Sequence, residues 1–138
     1  HVLEPLSGYL NLAQELCNDK NLNGEGFNFG PRAEQNHTVV ELLEDLSKYW
    51  NFKNASNAFT VTDNIPFHEA GLLKLNCDKA LSLLKWQAAL QYEDTIKFTS
   101  EWYYNYYYGN NVDMLQQTIC QINEYGSISK SKLLKWTA

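Results

Sequence analysis

Amphipathic stripes at helical spacing alternate with short apolar segments of period two along these 138 residues. That alternation limits the chain to an α/β fold in which helices outweigh a small sheet. The firmest stripe starts at Thr38. Its hydroxyl and the Glu41 carboxylate stand in capping-box register, and Val39, Leu42, Leu43, Leu46 and Trp50 then share one face. Upstream, Leu6, Tyr9, Leu10, Ala13, Leu16 and Cys17 predict a first helix with an apolar face, stopping before Asn21-Leu22-Asn23-Gly24. Downstream, Tyr92, Thr95, Ile96, Thr99, Trp102, Tyr103 and Tyr106 predict one long helix ending at Gly109, and Met114, Ile119, Ile122 and Tyr125 a weaker one. Strands are expected at Gly26 to Pro31, at Ala58 to Thr62 and at Leu72 to Leu75, with Asp78 capping a short helix through Leu84. The tail after Gly126 is polar and basic and is expected to be loosely held, unless a groove receives Leu133, Leu134 and Trp136.

Size and charge exclude several functions. A chain of 138 residues, 44% hydrophobic, supports one packed core. Eleven basic residues against sixteen acidic ones, a net charge of −5 and a single arginine, Arg32, argue against nucleic acid as a partner, because tracking a phosphate backbone takes clustered Lys and Arg. No apolar run reaches the roughly 18 residues of a membrane span. His1 to Leu10 lacks the build of a signal peptide, so no membrane partner is expected and the protein reads as cytoplasmic. Cys17, Cys77 and Cys120 are odd in number and unpaired in spacing, which points to free thiols and to no metal site. The opening at His1, without an initiator Met, reads as the inside of a longer protein.

Two motifs mislead. Gly24-x-Gly26-x-x-x-Gly30 imitates a dinucleotide fingerprint, but that fingerprint opens a helix at its last glycine, whereas these glycines flank an expected strand. Tyr49-x-x-x-Lys53 copies the Tyr/Lys spacing of short-chain dehydrogenases, yet it falls at the end of a helix beside Trp50. The aromatic run Trp102 to Tyr108 encircles its helix, which suits packing better than a flat sugar platform.

The pair His68-Glu69 stands apart. Pro66 and Gly71 bracket it and a strand is expected to follow, which would hold both side chains at the mouth of a crevice. There a carboxylate is suited to accept hydrogen bonds from vicinal hydroxyls, and an imidazole to donate to or stack on a nucleotide. The residues alone favour a pair that only completes a local hydrogen-bond network.

Nine blocks give the chain a specific resemblance: His1 to Tyr9, Asn28-Phe29-Gly30-Pro31, His68-Glu69-Ala70, Leu73-Lys74-Leu75, Asp78-Lys79-Ala80, Leu84-Lys85-Trp86, Glu101-Trp102-Tyr103, Asp113-Met114 and Gln121 to Tyr125. In this order they resemble the C-terminal part of the CDP-glucose 4,6-dehydratases, extended short-chain dehydrogenases that act on nucleotide sugars. In that family a tightly held NAD accepts a hydride from C4 of the sugar, water is lost across C5 and C6, and the hydride returns to C6, a step in deoxysugar biosynthesis for structures such as lipopolysaccharide O-antigen. The resemblance implies that residues 1–37 are a remnant of the edge of the cofactor domain, 38–125 a nucleotide-sugar-binding lobe, and 126–138 a tail. It implies that Glu69 contacts the nucleotide ribose with His68 beside it. It implies that no catalytic residue lies in this chain, that NAD belongs to an absent N-terminal cofactor domain, and that the chain alone neither binds NAD nor turns over. An isolated chain is expected to self-associate through Leu6 to Phe29, or to fold that region back in another arrangement. Another nucleotide-sugar epimerase or dehydratase, or a non-catalytic binding or assembly module, are the alternatives.

Overall fold

The computed structural model describes residues 1–32, 34–52, 54, 58–60 and 75–137. Among the described residues five α-helices carry the fold: α1 (Leu3–Asn18), α2 (Val39–Ser47), α3 (Asp78–Leu84), α4 (Tyr92–Tyr108) and α5 (Met114–Ser131). A 3-10 turn at Lys20–Leu22 follows α1 and another at Lys135–Thr137 closes the chain.

Local signals placed three of the helix ends. Thr38 and Glu41 form the expected capping box, with the Thr38 hydroxyl accepting from the Glu41 amide at 3.2 Å and the Glu41 carboxylate accepting from the Thr38 amide at 2.7 Å. Asp113 accepts from the amides of Leu115 and Gln116 to start α5. Long helix α4 ends before Gly109 as the pattern predicted. The start of α3 differs by a residue: Asp78 is its first helical residue, and the Asn76 side chain one turn-step earlier accepts the Asp78 amide at 2.8 Å. Helix α2 stops at Ser47, and a turn carries Tyr49 and Trp50 onward.

The expected sheet is not seen among the described residues. Residues 26–32 and 58–60 carry no strand, and Val61, Thr62 and Leu72 to Lys74 lie outside the description. A strand exists only by pairing, and the segment at 26–32 has no backbone ladder with a described neighbour. Instead its Phe29 ring lies edge-on to Trp86, with centroids 5.0 Å apart, and fills the space above Gly8, where an added Cβ would meet Phe29 Cδ1 at 2.3 Å. The segment is therefore held by side-chain packing.

Among the described residues two apolar clusters form the core. Leu22, Ala80, Leu84, Trp86 and Ala88 make one, and Ala89, Leu90, Phe98, Tyr125 and Leu134 the other, with Trp136 packed against both. Helix α5 runs on through Gly126 to Ser131, so the loosely held tail expected there is corrected. Leu134 is buried and the Trp136 indole donates to the Gln87 carbonyl at 3.1 Å, because a groove between the clusters accepts them, while Leu133 stays exposed. Helices α4 and α5 are joined by polar contacts as well: Trp102 Nε1 to Thr118, Asn105 to Gln117, and Gln121 to the Phe98 carbonyl.

Helix α1 presents an unexpected face. Its buried residues are Glu4, Ser7, Gly8 and Asn11, whereas Leu6 is 45% and Leu10 73% exposed. Polar groups won because each finds a partner inside: Asn11 donates to the Leu84 carbonyl at 3.0 Å, and Glu4 and Ser7 join the network described next.

Candidate functional site

A cavity of about 620 Å³ opens between the extended segment at 28–32, the entrance to α3, and the stretch from Trp86 to Ala88 that leaves it. The Asn28 side chain donates to the Asn76 carbonyl at 3.2 Å and ties the first wall to the second. Lys85, in the left-handed conformation at φ 55°, turns the chain sharply out of α3 so that the third wall faces the other two. On the rim, Arg32 Nη2 donates to the Gln87 side-chain oxygen at 3.3 Å, while Arg32 Nε is buried and meets no acceptor among the described residues. Glu34 and Asp78 also line the cavity. Burial pushes the Cys77 thiol up, which suits an unreactive lining residue.

The third wall is braced from behind. Glu4, 7% exposed, accepts from the amides of Ala89 and Leu90 at 3.1 and 2.6 Å and from the Tyr125 hydroxyl at 3.0 Å. Ser7 Oγ accepts from Trp86 Nε1 and lies 2.9 Å from the Tyr125 hydroxyl, donating its own proton to the Glu4 carbonyl at 2.8 Å. The Tyr125 phenol is held well above its ordinary value near 10, first by burial and then by the charge of Glu4. Lys132 Nζ donates to the Ala89 carbonyl at 2.6 Å. Sequence reasoning missed this brace. Its signal was present in Glu4, Ser7 and Asn11, three polar residues at spacings of three and four that share one helical face.

A second hollow of about 610 Å³ lies between the start of α1 and helices α4 and α5, walled by Leu3, Trp102, Tyr103 and Ile122. It is apolar and has no carboxylate or guanidinium on its described walls.

The two residues singled out in the sequence, His68 and Glu69, lie outside the described residues, as does Lys53. Tyr49 is exposed in the turn after α2. Gly24 sits at φ 83° after the 3-10 turn, and the chain beyond Gly30 runs into an irregular stretch, so these glycines do not open a helix and do not fit a dinucleotide's pyrophosphate. The aromatic run packs internally in part, with Trp50 edge-on to Tyr104 and Tyr108. No described helix is long and apolar enough to cross a membrane.

No family model matches the chain. No solved structure matches it either. Among curated proteins, CDP-glucose 4,6-dehydratase of Salmonella typhimurium is 35% identical over 127 residues, which is 92% of this chain and 34% of that protein. The chain thus spans about a third of the length of the curated relative it matches. Along nearly all of its length, therefore, the chain is similar to one part of a CDP-glucose 4,6-dehydratase.

Proposed function

We propose that the chain forms the substrate-binding part of a CDP-glucose 4,6-dehydratase and that the cavity at the entrance to α3 is one wall of its nucleotide-sugar pocket. The observation that carries this reading is convergence. Gly30-Pro31, Leu75, Asp78 and Trp86 belong to four separate blocks of the resemblance, spread over more than fifty residues, and all line one cavity. Blocks that served only core packing would have no reason to share an opening.

In this reading residues 38–125 are the binding lobe, residues 1–37 adjoin the cofactor domain, and Glu69 with His68 holds the ribose from the segment that follows Pro66. The reaction is the lyase chemistry of the family, carried out in the cytoplasm by the full-length protein with NAD bound outside this chain. The described residues supply no step of it. Their part is to bind and orient. The exposed face of α1, with Val2, Leu6, Tyr9 and Leu10, is covered by the cofactor domain, and in an isolated chain by a second copy.

Replacing Glu69 tests the reading. Glu69→Ala in the full-length protein is expected to raise KM for CDP-glucose with kcat nearly unchanged, a loss of about 1.5 to 3 kcal/mol for a charged acceptor of ribose hydroxyls. An unaltered KM in a folded variant would assign Glu69 to a local structural pair.

A further inference from the structure

Resting on that reading, we infer that Arg32 is the anion-recognising residue of the cavity and that its guanidinium engages a phosphate oxygen of the bound nucleotide sugar. Arg32 is the only arginine in the chain, and its guanidinium carries the positive charge that an anion needs. Gln87 engages one terminal nitrogen, and Gln87 is itself fixed by the Trp136 indole on its carbonyl, so the guanidinium is held at the rim. Its Nε–H is withdrawn from water and has no acceptor among the described residues. Buried charged donors are nearly always paired, and an unpaired one on a guanidinium that lines an open cavity points to an acceptor that arrives with a ligand.

The charge around the cavity narrows where that acceptor sits. Glu34 and Asp78 line the same space and repel an anion, so the phosphate is confined to the side of Arg32 and Gln87. The two carboxylates suit the hydroxyl-bearing part of the ligand. A planar fork matches phosphate geometry in a way that an ammonium does not.

Calorimetry on the full-length protein decides the matter, with CDP, cytidine and inorganic pyrophosphate as probes and with the Arg32→Gln and Arg32→Lys variants. The expected result is a loss of CDP affinity of about 10- to 100-fold in Arg32→Gln, an incomplete rescue in Arg32→Lys, and cytidine affinity within about twofold of the parent. Cytidine also reports that the variant is folded. Arg32→Gln binding CDP as tightly as the parent overturns the inference and leaves the nucleotide-sugar reading standing. Equal losses for CDP and cytidine overturn it too, because the contact would then not be to phosphate. Pyrophosphate binding that depends on Arg32, with CDP binding no tighter, keeps the anion contact and removes the nucleotide-sugar reading. A parent protein that binds none of the three probes overturns both.

Discussion

The stretch from Trp86 to Leu90 has a back and a front built on opposite terms. At the back, Glu4, Ser7 and Tyr125 meet Trp86 Nε1 and the amides of Ala89 and Leu90, and every donor has an acceptor. At the front, Trp86, Gln87 and Ala88 face an open cavity lined by Arg32, whose Nε has no acceptor among the described residues. A satisfied buried network specifies one geometry, and an unsatisfied donor next to a cavity leaves interaction energy for something else. The contrast teaches that this wall is rigid because of its back and available because of its front.

The strongest way to break the comparison is Glu4→Ala. It strips the acceptor from two amides and a phenol in a dry site, and it is expected to cost about 3 to 4 kcal/mol in urea unfolding. A loss below about 1 kcal/mol would show that water already reaches the back and that the two faces do not differ.

Tyr125→Phe sharpens the contrast through pH. The raised phenol holds its proton more firmly in the folded chain than in the unfolded one. Its contribution is therefore complete below the unfolded value near 10 and is lost as pH climbs above it. The variant should be about 1 to 2 kcal/mol less stable at neutral pH. From about pH 9 to 11 its unfolding midpoint should fall less steeply than the parent's, as followed by circular dichroism. Parallel curves would mean that some other group dominates the alkaline loss.

The smallest effect is expected at the hinge between the faces. Lys85→Gly relieves a left-handed residue at the exit of α3 and should add about 0.5 to 1 kcal/mol, because only glycine adopts that conformation without a Cβ penalty. The lost hydrogen bond from Lys85 Nζ to the Ser82 carbonyl is exposed and offsets only part of this gain. A destabilised variant would show that the side chain, and not the turn, sets the exit angle.

How much of this could be read in the sequence depended on how local the cause was. The capping box at Thr38 and Glu41 is settled within four residues, and its helix start was legible. The face of α1 was not. Hydropathy assigns Leu6 and Leu10 to the interior, and only the distant Ala89, Leu90 and Tyr125 reverse that choice by giving Glu4 and Ser7 their partners. The segment at 26–32 failed as a strand for the same reason, since alternation marks a surface but cannot supply a neighbour. Gly126 looked like a stop and is passed over mid-helix, where Tyr125 and Ser129 on its two sides are anchored in the core. Of the candidate site, the convergent blocks were legible as resemblance, whereas Arg32 was noted only for its charge. Its geometry depends on Gln87, more than fifty residues away.

The brace has a consequence for how the protein is made. The Glu4 carboxylate and the Tyr125 hydroxyl are 121 residues apart along the chain. During synthesis α1 emerges ahead of α2 to α5, and the phenol that completes its network follows only when the residues between them have been translated. Until then Glu4 is a charge facing a half-built interior, and the wall at Trp86 to Leu90 has no fixed shape to offer a ligand. Binding competence thus arrives late and all at once on the ribosome, and a nascent chain halted before α5 would be a target for chaperones and proteases.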